Sequence, residues 1–246
     1  MDLSVCIPVY NVDVRKLIES LRKEIVQTNI KAEIILIDDA SEKNIQLINT
    51  ECEALVDQFF VLEENVGRSR IRNMFLKYAS GKSLLFLDCD VEVNNPLFLN
   101  KYLREINNFP TIDALYGGFS VKFENQSLRN LYSREKETKV KIGSSDFSLL
   151  KTVNFSIKRS VFQDFKFAEE ITQYGYEDFL FAKVLQSNGK KFRFFDNPVW
   201  HLDDSTNEEY LNKVKTSIQT LITLENNSNY SGLIREVKLL QVIYVL

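Results

Sequence analysis

Short, continuously apolar runs alternate with amphipathic stretches through the first half of the chain. Residues 3–9, 33–37, 59–62 and 84–87 are nearly all apolar and each reads as a buried strand. Between the first two, Val14, Leu17, Ile18 and Leu21 follow the i, i+3, i+4, i+7 spacing of a helix face. Helix-like patterns also cover residues 44–56 and 67–78. Strand and helix in alternation, with strands apolar on both sides, predict βαβ units and a mostly parallel sheet covered on both faces. Ligands of such sheets bind beyond the carboxyl ends of the strands. Asp38 and Asp39 fall just past the second run, and Asp88 and Asp90 just past the fourth, so both pairs are expected at one crevice.

The second half is less regular. Its pattern predicts a strand over 114–123, a charged helix over 128–139 and a polar loop over 141–148. A strand over 152–157, a helix over 176–187 and a short strand over 191–195 follow, and the pattern is helical from Ser205 onwards. There is neither an internal repeat nor a low-complexity linker, so one α/β domain with two functional halves fits better than two independent domains.

Composition narrows the class without naming the chemistry. The 246 residues are 44% apolar and 26% charged, as in an ordinary globular protein. With 31 basic and 34 acidic side chains the net charge is −3, which argues against nucleic acid as a partner. Cys6, Cys52 and Cys89 are widely separated and lack metal-ligand spacing, as expected of free thiols in a reducing, cytoplasmic setting. The start, MDLSVCIPVYN, has no signal-peptide pattern, and no apolar run is long enough for a transmembrane helix.

The stretch SLLFLDCDVEV, residues 83–93, raises the first chemical question, because an apolar strand ends in two acids. At a separation of about 4–5 Å and an effective dielectric near 20, their repulsion costs roughly 3–4 kcal/mol. A shared proton, basic neighbours or a cation would offset it. In an extended segment Asp88 and Asp90 project to the same side. Their oxygen ligands suit a hard divalent ion, Mg²⁺ or Mn²⁺, whereas Cys89 points away and packs. A solvated or capping role explains one acid better than two. His201, the sole histidine, lies in NPVWHLDD. By itself it reads as a half-buried imidazole held by a hydrogen bond; beside an acid pair it becomes an extra ligand and shifts the preference towards Mn²⁺.

Two further segments carry candidate chemistry. QYGYEDFLF, residues 173–181, sets Glu177 and Asp178 at a predicted helix start, where acids favour the dipole and cap free N–H groups. With Tyr174, Tyr176 and Phe179 around them, desolvation would instead raise a carboxylate towards the range of a general base. ENVGRSRIRN, residues 64–73, places Arg68 and Arg72 one turn apart after a glycine. Such a face is commonly just solvated; turned towards a strand-end crevice, it would receive phosphates.

Taken together, these segments resemble the inverting glycosyltransferases of family 2, which have the GT-A fold. The likeness runs over residues 3–204. SVCIPVYN resembles the family's opening strand and loop, with Cys6 at a usually aliphatic position. ILIDDAS resembles the second-strand signature, with Ala40 where glycine is usual, and NVGRSRIRN is similar to N-x-G-x-x-x-A-R-N, with Ile71 for alanine. ASGKSLLFLDCDVEV resembles the A-x-G…FLD-x-D segment, GYEDF the G-x-E-D motif and VWHL the late histidine segment. Val91 stands where many members carry a further acid.

The resemblance implies a nucleotide-sugar-binding half over residues 1–95, an acceptor-binding half over 96–204 and a C-terminal helical extension over 205–246. It implies that Pro8, Tyr10 and Asn11 form a floor under the nucleotide base, that Asp39 contacts the base, and that Arg72 lies on the nucleotide side. Asp88 would hold the ribose or the metal, and Asp90 the metal bridging the diphosphate, with His201 approaching it. Asp178 would be the general base, with Glu177 and Tyr176 on the acceptor side. The implied cofactor is Mn²⁺ or Mg²⁺. The implied partners are a nucleotide-diphosphate-sugar donor, taken as UDP-linked, and a carbohydrate or lipid-linked acceptor in bacterial-type polysaccharide or glycolipid synthesis.

Two rival readings remain. A haloacid-dehalogenase-type phosphatase also uses an apolar strand followed by D-x-D, and Asp203 and Asp204 could imitate its late acids. However, that strand normally opens its domain, and Glu92 stands where a small or hydroxyl residue is preferred. A non-catalytic nucleotide-sugar-binding module is the other, against which stands the joint presence of Asp90, Asp178 and His201. A dinucleotide-dependent oxidoreductase is not supported, because no G-x-G-x-x-G follows the first strand. Leu233, Val237 and Leu240 share a helical face near the apolar ending LLQVIYVL. Packing on the domain is the expected role of this tail, ahead of a homodimer contact or peripheral contact with the inner face of a membrane.

Overall fold

The apolar runs form a parallel sheet in the computed structural model, which describes residues 1–122, 126–203 and 205–226. The first half contains β1 (Leu3–Val9), α1 (Arg15–Thr28), β2 (Ala32–Asp38), α2 (Lys43–Thr50), β3 (Gln58–Val61), α3 (Arg68–Tyr78) and β4 (Ser83–Leu87). The second contains β5 (Val91–Glu92), α4 (Phe98–Asn108), β6 (Ala114–Tyr116), β7 (Phe119–Val121), α5 (Leu128–Tyr132), β8 (Asn154–Lys158) and α6 (Arg159–Asp164). It continues with α7 (Glu177–Ser187), β9 (Phe192–Phe194), β10 (Val199–His201) and α8 (Asn207–Glu225). The main sheet has the order β3-β2-β1-β4-β8-β6-β9, in which β8 alone runs antiparallel to its neighbours. A small second sheet has the order β5-β10-β7.

Burial explains why the centre of this sheet was legible. Ile34, Ile35, Leu36 and Ile37 of β2 and Leu84, Leu85, Phe86 and Leu87 of β4 are all buried. Each such side chain contributes about 1.5–3 kcal/mol on leaving water. Phe86 of β4 stacks on Phe155 of β8 with centroids 5.1 Å apart, and Phe167 stacks on Phe181 of α7 at 4.2 Å. These aromatics lock α7 onto the sheet beneath the strand ends.

The second half departs from its predicted elements in several places. The strand expected over 114–123 divides at Gly117–Gly118 into β6 in the main sheet and β7 in the small one. A Cβ on Gly117 would sit 2.6 Å from the Tyr102 hydroxyl and 2.7 Å from Asn154 Nδ2, and Gly118 takes a φ of 81°. Both glycines are therefore required by the break. Buried Asn154 holds the gap, donating to Gly118 O at 2.7 Å and to Asn197 O at 2.9 Å. The charged helix expected over 128–139 is one short α-helix that widens into a π-turn at Ser133–Glu137. α4 was not anticipated, although its N-terminal amides are well met: Leu99 and Asn100 N–H groups donate to buried Glu24 at 2.9 Å each.

The helical pattern after Ser205 begins as α8, whose first turn carries a Thr206–Glu209 capping box. α8 packs on the segment before α7. Leu221 and Leu224 form a small core with Ile171 and Leu180, against which Tyr176 and Phe179 pack. Thr220 Oγ1 donates to Tyr174 O at 3.0 Å. Among the described residues no helix is long and apolar enough to cross a membrane. Phe123, Asp204 and the tail bearing Leu233, Val237 and Leu240 lie outside the described residues.

Candidate active site

The loops that leave β1 and β2 are fastened to each other. These strands pair in register from Leu3 opposite Ala32 to Val9 opposite Asp38, so they end at one level. Pro8 lies within β1 opposite Ile37, and Tyr10 emerges past its end, half exposed. The Asn11 N–H donates to Ser41 Oγ at 2.8 Å, and Asn11 Oδ1 accepts from the Glu42 N–H at 2.7 Å. Asp39 is buried; its two carboxylate oxygens accept the Val66 and Gly67 N–H groups at 2.7 and 3.1 Å. Burial raises its pKa, and these two hydrogen bonds oppose the rise. Asp39 therefore ties the second loop to the start of α3.

The turn after β2 requires a backbone conformation that favours glycine. Asn11 and Ala40 have φ values of 55° and 58°, in the left-handed region. Asparagine tolerates it, but alanine is strained there by about 1–2 kcal/mol. Ala40→Gly is expected to stabilise the protein by about 0.5–1 kcal/mol, the relief being partly offset by the freer unfolded chain. Urea unfolding of both proteins checks this; a lower midpoint for the glycine variant would show that the Ala40 methyl contributes packing that outweighs the strain.

The fourth strand delivers the acid pair, and separate neighbours divide it. Arg72 of α3 is buried and donates from Nη2 to Asp88 Oδ1 at 2.6 Å and from Nη1 to Arg68 O at 3.2 Å. Asp88 is thus drawn towards α3. Asp90 meets His201 instead, with Oδ2 and Nε2 3.4 Å apart. The small sheet makes that contact: His201 lies opposite Val91 across β5 and β10, and the Leu202 N–H donates to Asp90 O at 2.9 Å. Burial works against the charge on both partners, yet their attraction across 3.4 Å lowers the Asp90 pKa and raises that of His201. Cys89 packs against the main core, and burial pushes its thiol up to about 12.

Among the described residues no group of three or more histidine, cysteine and carboxylate side chains is arranged as a metal site. The donors that do converge are one carboxylate and one imidazole, from Asp90 and His201. Those two donors suit a divalent cation but supply only two of the ligands it needs.

Across the crevice stands the first turn of α7. Gly175 and Tyr176 take φ values of 106° and 70°, so two successive residues are in the left-handed region just before Glu177. For tyrosine this conformation is strained and persists only where packing imposes it. α8 supplies the packing: a Cβ at Gly175 would lie 2.7 Å from Ser217 Cβ. Glu177 is buried, and burial foremost, then the charge of Asp178, raises its pKa against the pull of Arg68 3.7 Å away. Asp178 Oδ1 accepts the Phe179 N–H at 2.7 Å, while its Oδ2 stands 3.7 Å from Lys151 Nζ. Sequence reasoning missed Lys151. It lies in the irregular segment before β8, with no periodicity or motif to single it out.

This architecture is that of the GT-A glycosyltransferases. The chain belongs to glycosyl transferase family 2, whose family model matches residues 4–167. That match ends before Glu177, Asp178 and His201. An uncharacterised glycosyltransferase of Rickettsia felis is 30% identical over 132 residues, 48% of this chain and 22% of that protein. The chain therefore spans less than a quarter of that relative. The Escherichia coli UDP-Glc:alpha-D-GlcNAc-diphosphoundecaprenol beta-1,3-glucosyltransferase WfgD is 27% identical over 137 residues, 55% of this chain and 53% of that protein. A Pyrobaculum calidifontis mannosyltransferase in complex with GDP-Man and Mn²⁺ is similar in structure, with a TM-score of 0.65 and 16% identity. That likeness covers 92% of this chain and 64% of that one.

Proposed function

We propose that the protein is an inverting glycosyltransferase that moves a sugar from a nucleotide-diphosphate-sugar, UDP-linked in our reading, to an acceptor hydroxyl. The observation that carries the reading is the crevice itself. Arg68 stands 3.7 Å from Glu177 of α7 and is also within the electrostatic reach of Asp88 and of Asp90, the partner of His201. Tyr10, Pro8, Asn11 and Asp39 form the nucleotide side, with Arg72 orienting Asp88 towards the ribose or the metal. Tyr176 and Glu177 belong to the acceptor side. Bacterial polysaccharide or glycolipid synthesis is the setting that the similarity to WfgD supports.

In this mechanism Asp178 takes the proton of the acceptor hydroxyl as its oxygen attacks C1 of the sugar. The C1–O bond to the diphosphate breaks, and its electron pair leaves with the diphosphate. One displacement inverts the anomeric centre and needs no covalent glycosyl-enzyme. Asp90 and His201, with Asp88 beside them, would hold Mn²⁺ or Mg²⁺, whose charge neutralises the leaving diphosphate. A thermal-shift screen of UDP-, GDP- and dTDP-sugars, each with and without Mn²⁺, tests the reading. Ligands that bind only the folded state raise its melting point. Metal-dependent stabilisation by one class of nucleotide-sugar is expected, and a flat response to all of them contradicts the proposal.

A further inference from the structure

The first turns of α3 bring three arginines close to the crevice, and the structure gives each a different occupation. Arg70 pairs with Glu169 at 3.5 Å. Arg72 is buried and engaged by Asp88 and by Arg68 O. Arg68 is left with its guanidinium in the open. Its side chain is 54% exposed, lies 4.9 Å from the centre of the Tyr174 ring and stands 3.7 Å from Glu177 Oε1. That separation is an ion pair but exceeds hydrogen-bond length. Among the described residues no N–H of Arg68 has a hydrogen-bond acceptor.

Amides at a helix start often receive phosphate. Here the Val66 and Gly67 N–H groups are already engaged by the Asp39 carboxylate. Beside the remaining amides of the first turn, which no side chain caps, the Arg68 guanidinium is the positively charged group open to an anion. Its surroundings are rich in acid: against the cost of burial, Glu177, Asp88 and Asp90 raise its pKa.

We propose that Arg68 is a further catalytic residue, one whose guanidinium exchanges Glu177 for the diphosphate of the donor and stays with it as it leaves. The assignment rests on the glycosyltransferase reading above. A planar guanidinium matches phosphate oxygens through two parallel N–H donors, and the Tyr174 ring supports its face while leaving its edge free. As the C1–O bond breaks, negative charge grows on the diphosphate oxygen, and Arg68 offers hydrogen bonds where that charge appears. The acceptor proton goes to Asp178, so Arg68 gains and loses no proton. A contact of this kind discriminates by phosphate number, because a nucleoside monophosphate lacks the terminal group.

Calorimetric titration of UDP, UMP, GDP and GMP in the presence of Mn²⁺, with wild type, Arg68→Ala and Arg68→Lys, tests the assignment. Loss of a charge-assisted pair predicts that Arg68→Ala weakens the better diphosphate by about 10- to 100-fold. The matching monophosphate should bind as before, Arg68→Lys should recover part of the loss, and the melting temperature should not move. Equal losses on mono- and diphosphate, or no loss on either, overturn the Arg68 assignment alone when wild type binds UDP or GDP. A wild-type protein that binds neither diphosphate overturns the glycosyl-transfer reading and Arg68 with it.

Discussion

Asp178→Asn is expected to bind nucleotide as wild type does and to transfer sugar about 100- to 10,000-fold more slowly, the range that a positioned general base contributes. The amide keeps the shape of the side chain and can still accept the Phe179 N–H, so the first turn of α7 should survive. What it cannot do is take a proton at Oδ2, the oxygen that faces Lys151 at 3.7 Å. The lost pair is half exposed on the lysine side and costs little stability. Nucleotide release in the presence of acceptor measures the chemistry, and calorimetry measures binding. An asparagine variant with normal transfer would remove Asp178 from the mechanism and return attention to Glu177, the neighbour whose pKa burial raises.

Asp90→Ala should have the opposite signature. Metal-stimulated nucleotide binding is expected to fall by at least about 100-fold, the upper end of what residues merely supporting a metal ligand cost. The fold should survive at a modest cost, because the lowered pKa of Asp90 and the raised pKa of His201 mean that their pairing favours the folded protein. The melting temperature of the metal-free protein is therefore expected to fall slightly. His201 would lose the carboxylate that raises its pKa, and its imidazole by itself makes a poor site for a hard cation. Titrating UDP with and without Mn²⁺ separates the outcomes. If the metal still strengthens nucleotide binding to the alanine variant, Asp90 is not its ligand.

Two variants that fail in opposite ways would distinguish the rival chemistries as well. A phosphatase built on the DCD segment would place its nucleophile among Asp88 and Asp90, and α7 would be a bystander. Yet Asp88 is held by buried Arg72, and Asp90 is turned towards His201. Three βα units precede β4 in the chain, and the strands they provide lie to one side of it in the sheet. That position makes β4 a central strand, which is why its end opens into a crevice.

Much of the first half was legible because its determinants are local. Continuous apolar runs specify buried parallel strands, and the residue after a strand end is at the crevice by topology alone. In this way Asp38, Asp39, Asp88 and Asp90 could be placed from the pattern of apolar residues, and the family likeness drew on motifs at those positions. The second half was less legible because its geometry is made by contacts between distant segments. Gly117–Gly118 looks like the middle of a strand until Tyr102, Asn154 and Asn197 crowd around it. Tyr176 is forced into a left-handed conformation beside a glycine that packs on Ser217, a neighbour no local pattern announces.

By itself the sequence determined the sheet, the strand ends and the chemical character of the residues set there, because burial and periodicity act over a few residues. The tertiary structure decided the pairings. It drew Asp88 to Arg72, brought His201 to Asp90 through a two-residue strand, set Lys151 beside Asp178 and left the Arg68 donors open. Those outcomes depend on electrostatics and close packing between segments far apart in the chain, which become defined only when the chain has folded.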